Sequence, residues 1–470
     1  MNFSWNIFID LGIISAALLA ATFIRVKVSF FQKYLIPNAL TAGFILLPIY
    51  NFLLPELGMG SEGLGELVYH LLNLSFISMT LRRTERQKGS RKSVAGIVVG
   101  LLSGYATQAL LGMLLTFLFI GTIMPNLFPG FGLYLPLGFA LGPGQAYAIT
   151  VGWEQFGVEG SGSVGLTFAA IGYLWACFGG VFLINKGIRR GWLTDDHIKT
   201  ITSQKVKRGV VLNKEERSCG SRLSTETEAI DSLSLHLGLV LFVYLITYLF
   251  LTGLTALLSL VGPLGQDLAI NLWGIAFIFA GIWAIIFKKI LGSAGLAGLT
   301  DNATLNRISG SAVDLMVAAA VGAISLVVVS QYWIPILVLG IVGGVLTLAL
   351  IPWISSRMFK DHRFHRALIV YGASTGTLPT GLALLRVIDP EFESPTASDY
   401  MYAAAFVFIL AIPFIMMINL PAYGYTTGNP IYYWLTMLIC TAYVLACFVG
   451  YILIAKKNSF KTASRTWLRD

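Results

Sequence analysis

Charge is what this sequence has little of. Only 12% of its 470 residues are Asp, Glu, Lys or Arg, against 56% hydrophobic residues and a mean hydropathy of +0.76. That leaves too little charged surface to coat a water-soluble globule of this length. Cysteine is scarce as well. Cys177, Cys219, Cys440 and Cys447 stand in no C-x-x-C or zinc-ligand spacing, which excludes a disulfide framework or a zinc module as the organising device. The opening "MNFSWNIFID" has no basic run before its apolar stretch, so the first helix is expected to stay in place rather than be cleaved as a signal peptide.

What is present is apolar sequence in blocks of about 17 to 25 residues, each long enough as a helix to cross a hydrocarbon layer of roughly 30 Å. Barrel strands would alternate instead of running continuously apolar. Spans at 7–24, 38–54, 64–81, 94–120, 163–185, 233–260, 271–287, 311–329, 333–356, 399–420 and 431–455 give eleven crossings. The connecting loops alternate in charge. One set holds Arg25, Lys27 and Lys33, the run "RRTERQKGSRKS", the segment 186–232, Lys288, Lys289, Arg307, the run "RMFKDHRFHR", Arg386 and the C-terminal tail. The other set, including 121–133, "WEQFGVEGSG", 261–270 and 421–430, holds no Lys or Arg. By the positive-inside rule the first set is cytoplasmic, the N-terminus is outside and the C-terminus inside. The net charge of +9 therefore encodes orientation and not nucleic-acid binding.

That alternation holds only if two Gly- and Pro-broken stretches do not cross. "LYLPLGFALGPGQAYAITV" is flanked by loops without basic residues, and "ALIVYGASTGTLPTGLALL" by loops that carry them. About 20 residues cannot cross twice, so each is expected to be a re-entrant hairpin, at 134–152 and 367–387. Irregular backbone at membrane depth is tolerated only inside protein or beside a water-filled cavity, so the breaks point to a site.

Four spans, a hairpin and a fifth span describe 1–185, and the same order describes 233–423 after a polar linker at 186–232. Five spans are an odd number, so the second unit is inverted, the plan of secondary transporters. The expected fold is an all-α integral membrane protein: two inverted five-span repeats, each with a re-entrant hairpin, plus an extra span within 424–470. The linker, basic at its start and acidic at its end, is expected to lie against anionic headgroups.

The stretches "FFQKYLIPNALTAGF", "ALGPGQAYAITVGWEQFGVEG" with "GLTFAAIGY", and "GASTGTLPTGLALLRVIDP" resemble the bacterial sodium/glutamate symporter family over roughly residues 1–423. The resemblance implies a homodimer in the bacterial cytoplasmic membrane whose hairpin-bearing core moves against a fixed scaffold. It also implies symport of glutamate or a related carboxylate with inward sodium, with no other cofactor. The chain departs from the family pattern at Gly142-Pro143-Gly144-Gln145-Ala146, and at Leu384, where a polar Asn is usual.

The residues themselves point the same way. A half-helix that begins at a hairpin tip exposes free N–H groups and the positive end of its dipole, which suits a carboxylate without any buried Arg. The candidate substrate-binding residues are Gly142, Gly144 and Gln145 on the first hairpin, and Ser374, Thr375, Gly376, Thr377, Pro379 and Thr380 on the second. Unwound carbonyls at the tips are candidate Na⁺ ligands. Asp314 is a weaker metal candidate; with Glu66 it is expected in the first turn of its span, where a solvated cap is the blander role. His70 is a possible proton relay or simply a hydrogen-bonded packing residue. Trp153 and Glu154 are expected at the outer interface as an anchor and a solvated charge. Small residues at the tips also serve close helix packing. No His, Cys or carboxylate pair converges in the hairpins, so an enzyme is not expected. A proton-coupled transporter and a passive channel are the alternatives to sodium symport.

Overall fold

The computed structural model describes residues 5–34, 36–83, 91–192, 223–226, 228–260, 269, 272–389 and 394–468, the side chains of Ala297, Leu378, Pro379 and Phe408 excepted. Most of the expected linker at 186–232, the middle of the basic loop at 84–90 and the link at 261–268 lie outside the described residues.

The described chain is helical throughout, with no strand. In order the helices are α1 Asn6–Lys27, α2 Ser29–Lys33, α3 Asn38–Pro48, α4 Glu62–Leu81, α5 Arg91–Thr122, α6 Tyr134–Pro136, α7 Pro143–Thr150, α8 Ser161–Arg189, α9 Ser232–Ser259, α10 Ala276–Ser293, α11 Asn302–Gly322, α12 Leu326–Gln331, α13 Trp333–Met358, α14 Arg363–Thr375, α15 Leu378–Ile388, α16 Thr396–Met417, α17 Leu420–Thr427 and α18 Ile431–Ala455. Among the described residues nine helices are long and apolar enough to cross a membrane. The protein is membrane-embedded by that criterion.

Two of the eleven expected spans fall short of it. The stretch at 38–54 is α3 followed at Pro48 by a π-turn, Ile49–Leu53, where the ring removes an N–H and loosens the ladder. The span expected at 311–329 is α11, which starts nearer the basic end, ends at Gly322 and gives way to α12. Its first half is polar, opening on an Asp301 side chain that accepts from the Thr304 N–H at 2.8 Å.

Packing divides the helices into two bodies. In one, α4 lies along α11, α3 packs on α11 as α10 packs on α4, and α1 packs on α3 as α9 packs on α10. The other gathers α5, α8, α13, α14, α15, α16 and the broken segment around α6 and α7, with α18 against α5 and α13. The α7 helix touches both bodies, through α4 and α11 on one side and α8 on the other.

One buried ion pair ties the second body together at its basic end. Arg366 of α14 meets Asp399 of α16 at 2.8 Å with side chains 1% and 0% exposed, and also meets the exposed Asp361 at 2.9 Å. The hydrogen bond from Arg366 holds the Asp361 carboxyl below the usual carboxylate range. Removing one partner of a buried pair strands the other charge, whereas an exposed partner is worth little. Asp399→Ala is therefore expected to destabilise the protein by about 3 to 5 kcal/mol and Asp361→Ala by under about 1 kcal/mol. Unfolding of the two purified variants in the same detergent checks the ranking, and equal effects would contradict it.

Candidate functional site

The broken segments fold back on themselves. In the first, a 3₁₀ turn (Phe131–Leu133), α6 and a π-turn (Leu137–Leu141) lead to Gly142, after which α7 and a second 3₁₀ turn (Val151–Phe156) return. The Tyr134 and Trp153 rings lie 5.2 Å apart, so both arms reach the same level at their root. In the second, α14 and α15 run antiparallel and so close that a Cβ on Gly372 would lie 2.9 Å from the Gly381 Cα. The broken segments run over 131–156 and 363–388, about a turn beyond 134–152 at both ends and beyond 367 at the start of the second, because these arms begin before their apolar core does, and one residue beyond 387 at its end.

The roots lie at opposite ends of the molecule. The first is fixed at the end whose loops lack Lys and Arg, where the Trp153 indole N–H donates to the Asn419 side chain at 2.7 Å and Phe128 meets Tyr425. Trp153 is fully buried in this aromatic cluster, not an interfacial anchor, because its ring fills the space between both arms. Glu154 is exposed, with its carboxylate accepting from the Gly162 N–H at 3.1 Å. The second root sits at the basic end, where Phe364 packs against Trp192 and Trp467.

The tips meet. Gly142 has φ +84°, and a Cβ there would strike the Thr377 methyl and lie 3.4 Å from the Gly376 carbonyl oxygen. Glycine is needed here twice over, for the left-handed backbone and for the close approach. The two half-helices that leave the tips differ. α7 has Pro143 at its first position and no side-chain cap, so the N–H groups of its first turn lack a side-chain partner. α15 is capped by its own residues: the Thr377 N–H donates to the Thr380 hydroxyl at 3.3 Å, and the two hydroxyls are 3.0 Å apart.

Beside the tips runs a cavity of about 630 Å³, lined there by Pro143, Gly144, Gln145 and Thr377 and reaching Arg82, Arg83 and Lys288 at the basic end. Of the other predicted residues, Ser374, Thr375, Gly376 and Thr380 stand behind the tip and off its wall. The Thr375 hydroxyl turns back onto the Tyr371 carbonyl at 2.9 Å. Ser374 is buried with its hydroxyl unpartnered, as is the Gln145 carbonyl oxygen. Pro379 is the second residue of α15, its side chain outside the described residues. A Cβ on Gly144 would lie 2.7 Å from both Leu72 and Met316, so this glycine serves the packing of α7 on α4 and α11 as well as lining the cavity.

Two polar residues that sequence reasoning passed over hold the second tip. Gln108 of α5, fully buried, donates from its amide to the Ser374 carbonyl at 2.8 Å and to the Thr347 hydroxyl at 2.9 Å, leaving its own oxygen unpartnered. It thereby satisfies a carbonyl that the break at Gly376 set free. Tyr173 of α8 faces the Thr377 and Thr380 hydroxyls without closing a hydrogen bond to either. An amide within "YATQALLGML" and a tyrosine within "AAIGYLWACF" were the available signals.

Asp314 lies in the middle of α11, not in a first turn, because that helix begins earlier than its apolar stretch; it is exposed and lies near Tyr173. Glu66 is exposed in the second turn of α4, and His70 is exposed with Nδ1 2.6 Å from the Tyr244 hydroxyl. Among the described residues no three His, Cys, Asp or Glu are grouped to hold a metal ion. Comparison with protein-family models, curated proteins and solved structures gives no match.

A Cβ at Gly142 strains the backbone at its positive φ and must also push Thr377 away. Gly142→Ala is expected to lower stability by about 1 to 3 kcal/mol, whereas Gly152→Ala, where a Cβ meets open space, changes it by under about 0.5 kcal/mol. Thermal unfolding of both variants checks the contrast.

Proposed function

We propose that the chain is a secondary active transporter that carries a small organic anion, glutamate or a related carboxylate, into a bacterial cell together with Na⁺. The observation that carries this reading is the meeting of two broken helix pairs, rooted at opposite ends, beside a cavity with an uncapped helix N-terminus on its wall. Such an N-terminus attracts a carboxylate without a buried cation, and carbonyls freed by the breaks provide oxygen ligands for Na⁺. The pairs are re-entrant hairpins in this reading, and the two halves are inverted repeats. The reciprocal packing supports that: α1 on α3 as α9 on α10, α3 on α11 as α10 on α4.

Transport is of the elevator type. The body holding both hairpins slides as a unit, and the body built on α4 and α11 is the fixed scaffold through which two copies form a homodimer. With Lys and Arg at one end, the positive-inside rule makes that end cytoplasmic, the N-terminus external and the cavity open to the cytoplasm. Proton coupling is the second reading, favoured by Asp314, a carboxylate at mid-helix near Tyr173. In either case the chain is no enzyme.

Each Na⁺ entering gains roughly 2.3 kcal/mol per 100 mV of membrane potential, enough to drive an anion uphill. In proteoliposomes screened with L-glutamate and other small carboxylates, accumulation above the bath concentration is expected only with an inward Na⁺ gradient. Uptake that ignores Na⁺ and follows a pH gradient would transfer the coupling to protons, and equilibration without accumulation would make the protein a channel.

Sidedness has its own check. In a Cys219→Ser background, with Cys177, Cys440 and Cys447 buried, Glu159→Cys is expected to react with an impermeant thiol reagent in intact cells. Lys360→Cys is expected to react only after permeabilisation. The reverse pattern would invert the topology.

A further inference from the structure

The basic end of the cavity carries charge that the tips do not explain. Its wall there includes Arg82, Arg83 and Lys288, and none of its described lining residues is Asp or Glu. Among the described residues these cations meet only neutral partners. The Arg82 Nε donates to the Met79 carbonyl at 3.2 Å, its Nη1 donates to the Asn306 side chain, and its Nη2 is buried with no partner. Lys288 donates to the carbonyls of Arg82 and, at 3.4 Å, Thr80. Asn302 clamps the turn from α11, accepting from the Arg83 N–H at 2.7 Å and donating to the Arg83 carbonyl at 2.8 Å.

Part of this arrangement caps the C-terminus of α4. A helix end offers only about half a negative charge, however, so among the described residues three full positive charges remain largely unbalanced. A buried guanidinium nitrogen without a partner is costly to hold unless something occupies it.

We infer that this mouth is an anion-binding site, built by α4, α10 and α11, for a small soluble carboxylate or phosphate that approaches from the basic end. It is separate from the hairpin tips and shares their cavity. It rests on the transport reading only in naming that side the cytoplasm, where the site would hold an anion just released from the tips. A lipid phosphate has the same chemistry and is the rival occupant.

The test uses the full-length protein in phosphatidylcholine nanodiscs, titrated with succinate at fixed Na⁺ and fixed ionic strength and read by calorimetry. Arg82→Gln with Lys288→Gln is expected to weaken succinate at least about tenfold, since charge-assisted hydrogen bonds are lost. The exposed Arg83→Gln is expected to weaken it about threefold while leaving unfolding without anion unchanged. Arg82→Lys with Lys288→Arg keeps the charge and should retain binding, separating loss of charge from loss of fold. Wild-type affinity in the first two variants overturns the site. So does loss of succinate binding by the wild type in phosphatidylglycerol nanodiscs, which would assign the mouth to a lipid. A protein that binds succinate through Arg82 and Lys288 yet moves no solute leaves this inference standing and removes the transport reading.

Discussion

Backbone N–H and C=O groups have no water to fall back on inside a hydrocarbon layer, and everything distinctive in this molecule follows from where that demand is met unusually. Two breaks in apolar helices release polar groups inside the molecule. At the second break the protein supplies partners from its own side chains: Gln108 takes the Ser374 carbonyl, and Thr380 takes the Thr377 N–H. At the first it supplies none from side chains, and the start of α7 faces a cavity instead. The two tips are therefore alike in outline and opposite in chemistry. One is finished by side chains of the protein; the other opens on the cavity.

Much of this was legible in the sequence because glycine, proline and charge act locally. Gly142-Pro143 marks the first break and Gly376-Thr377 the second, with Pro379 just inside the helix that follows, and the alternation of basic and non-basic loops places their roots at opposite ends. What sequence could not supply is what one helix does for another. Gln108 and Tyr173 look like isolated polar residues in apolar spans until α5 and α8 bring them to the second tip. Gly144 looks like a ligand-facing position, yet Leu72 and Met316 claim much of its space. Trp153 looks interfacial by its position in a loop, and an aromatic cluster buries it.

Hydropathy misled where helices pack on helices. α3 and α11 are shorter or more polar than a lone span, because each covers the other and neither needs a full apolar circumference. The apolar stretch of α11 starts well inside the helix, which shifted the expected position of Asp314 from a helix end to its middle. The polar half so revealed sets Asn306 against the Arg82 guanidinium and Asn302 against the Arg83 backbone, just past the end of α4.

The buried pair between Arg366 and Asp399 has a mechanical consequence. It pins the foot of α14 to the first turn of α16 at a depth where neither charge can exchange its partner for solvent without a large penalty. Bending α14 away from α16 at that point would have to break this pair, at that penalty. Rearrangement is left to surfaces that carry no such pin, chiefly the apolar contacts of α7 with α4 and α11. The compliant seam of the molecule thus runs along the face of the uncapped tip, and the stiff joint sits at the root of the capped one.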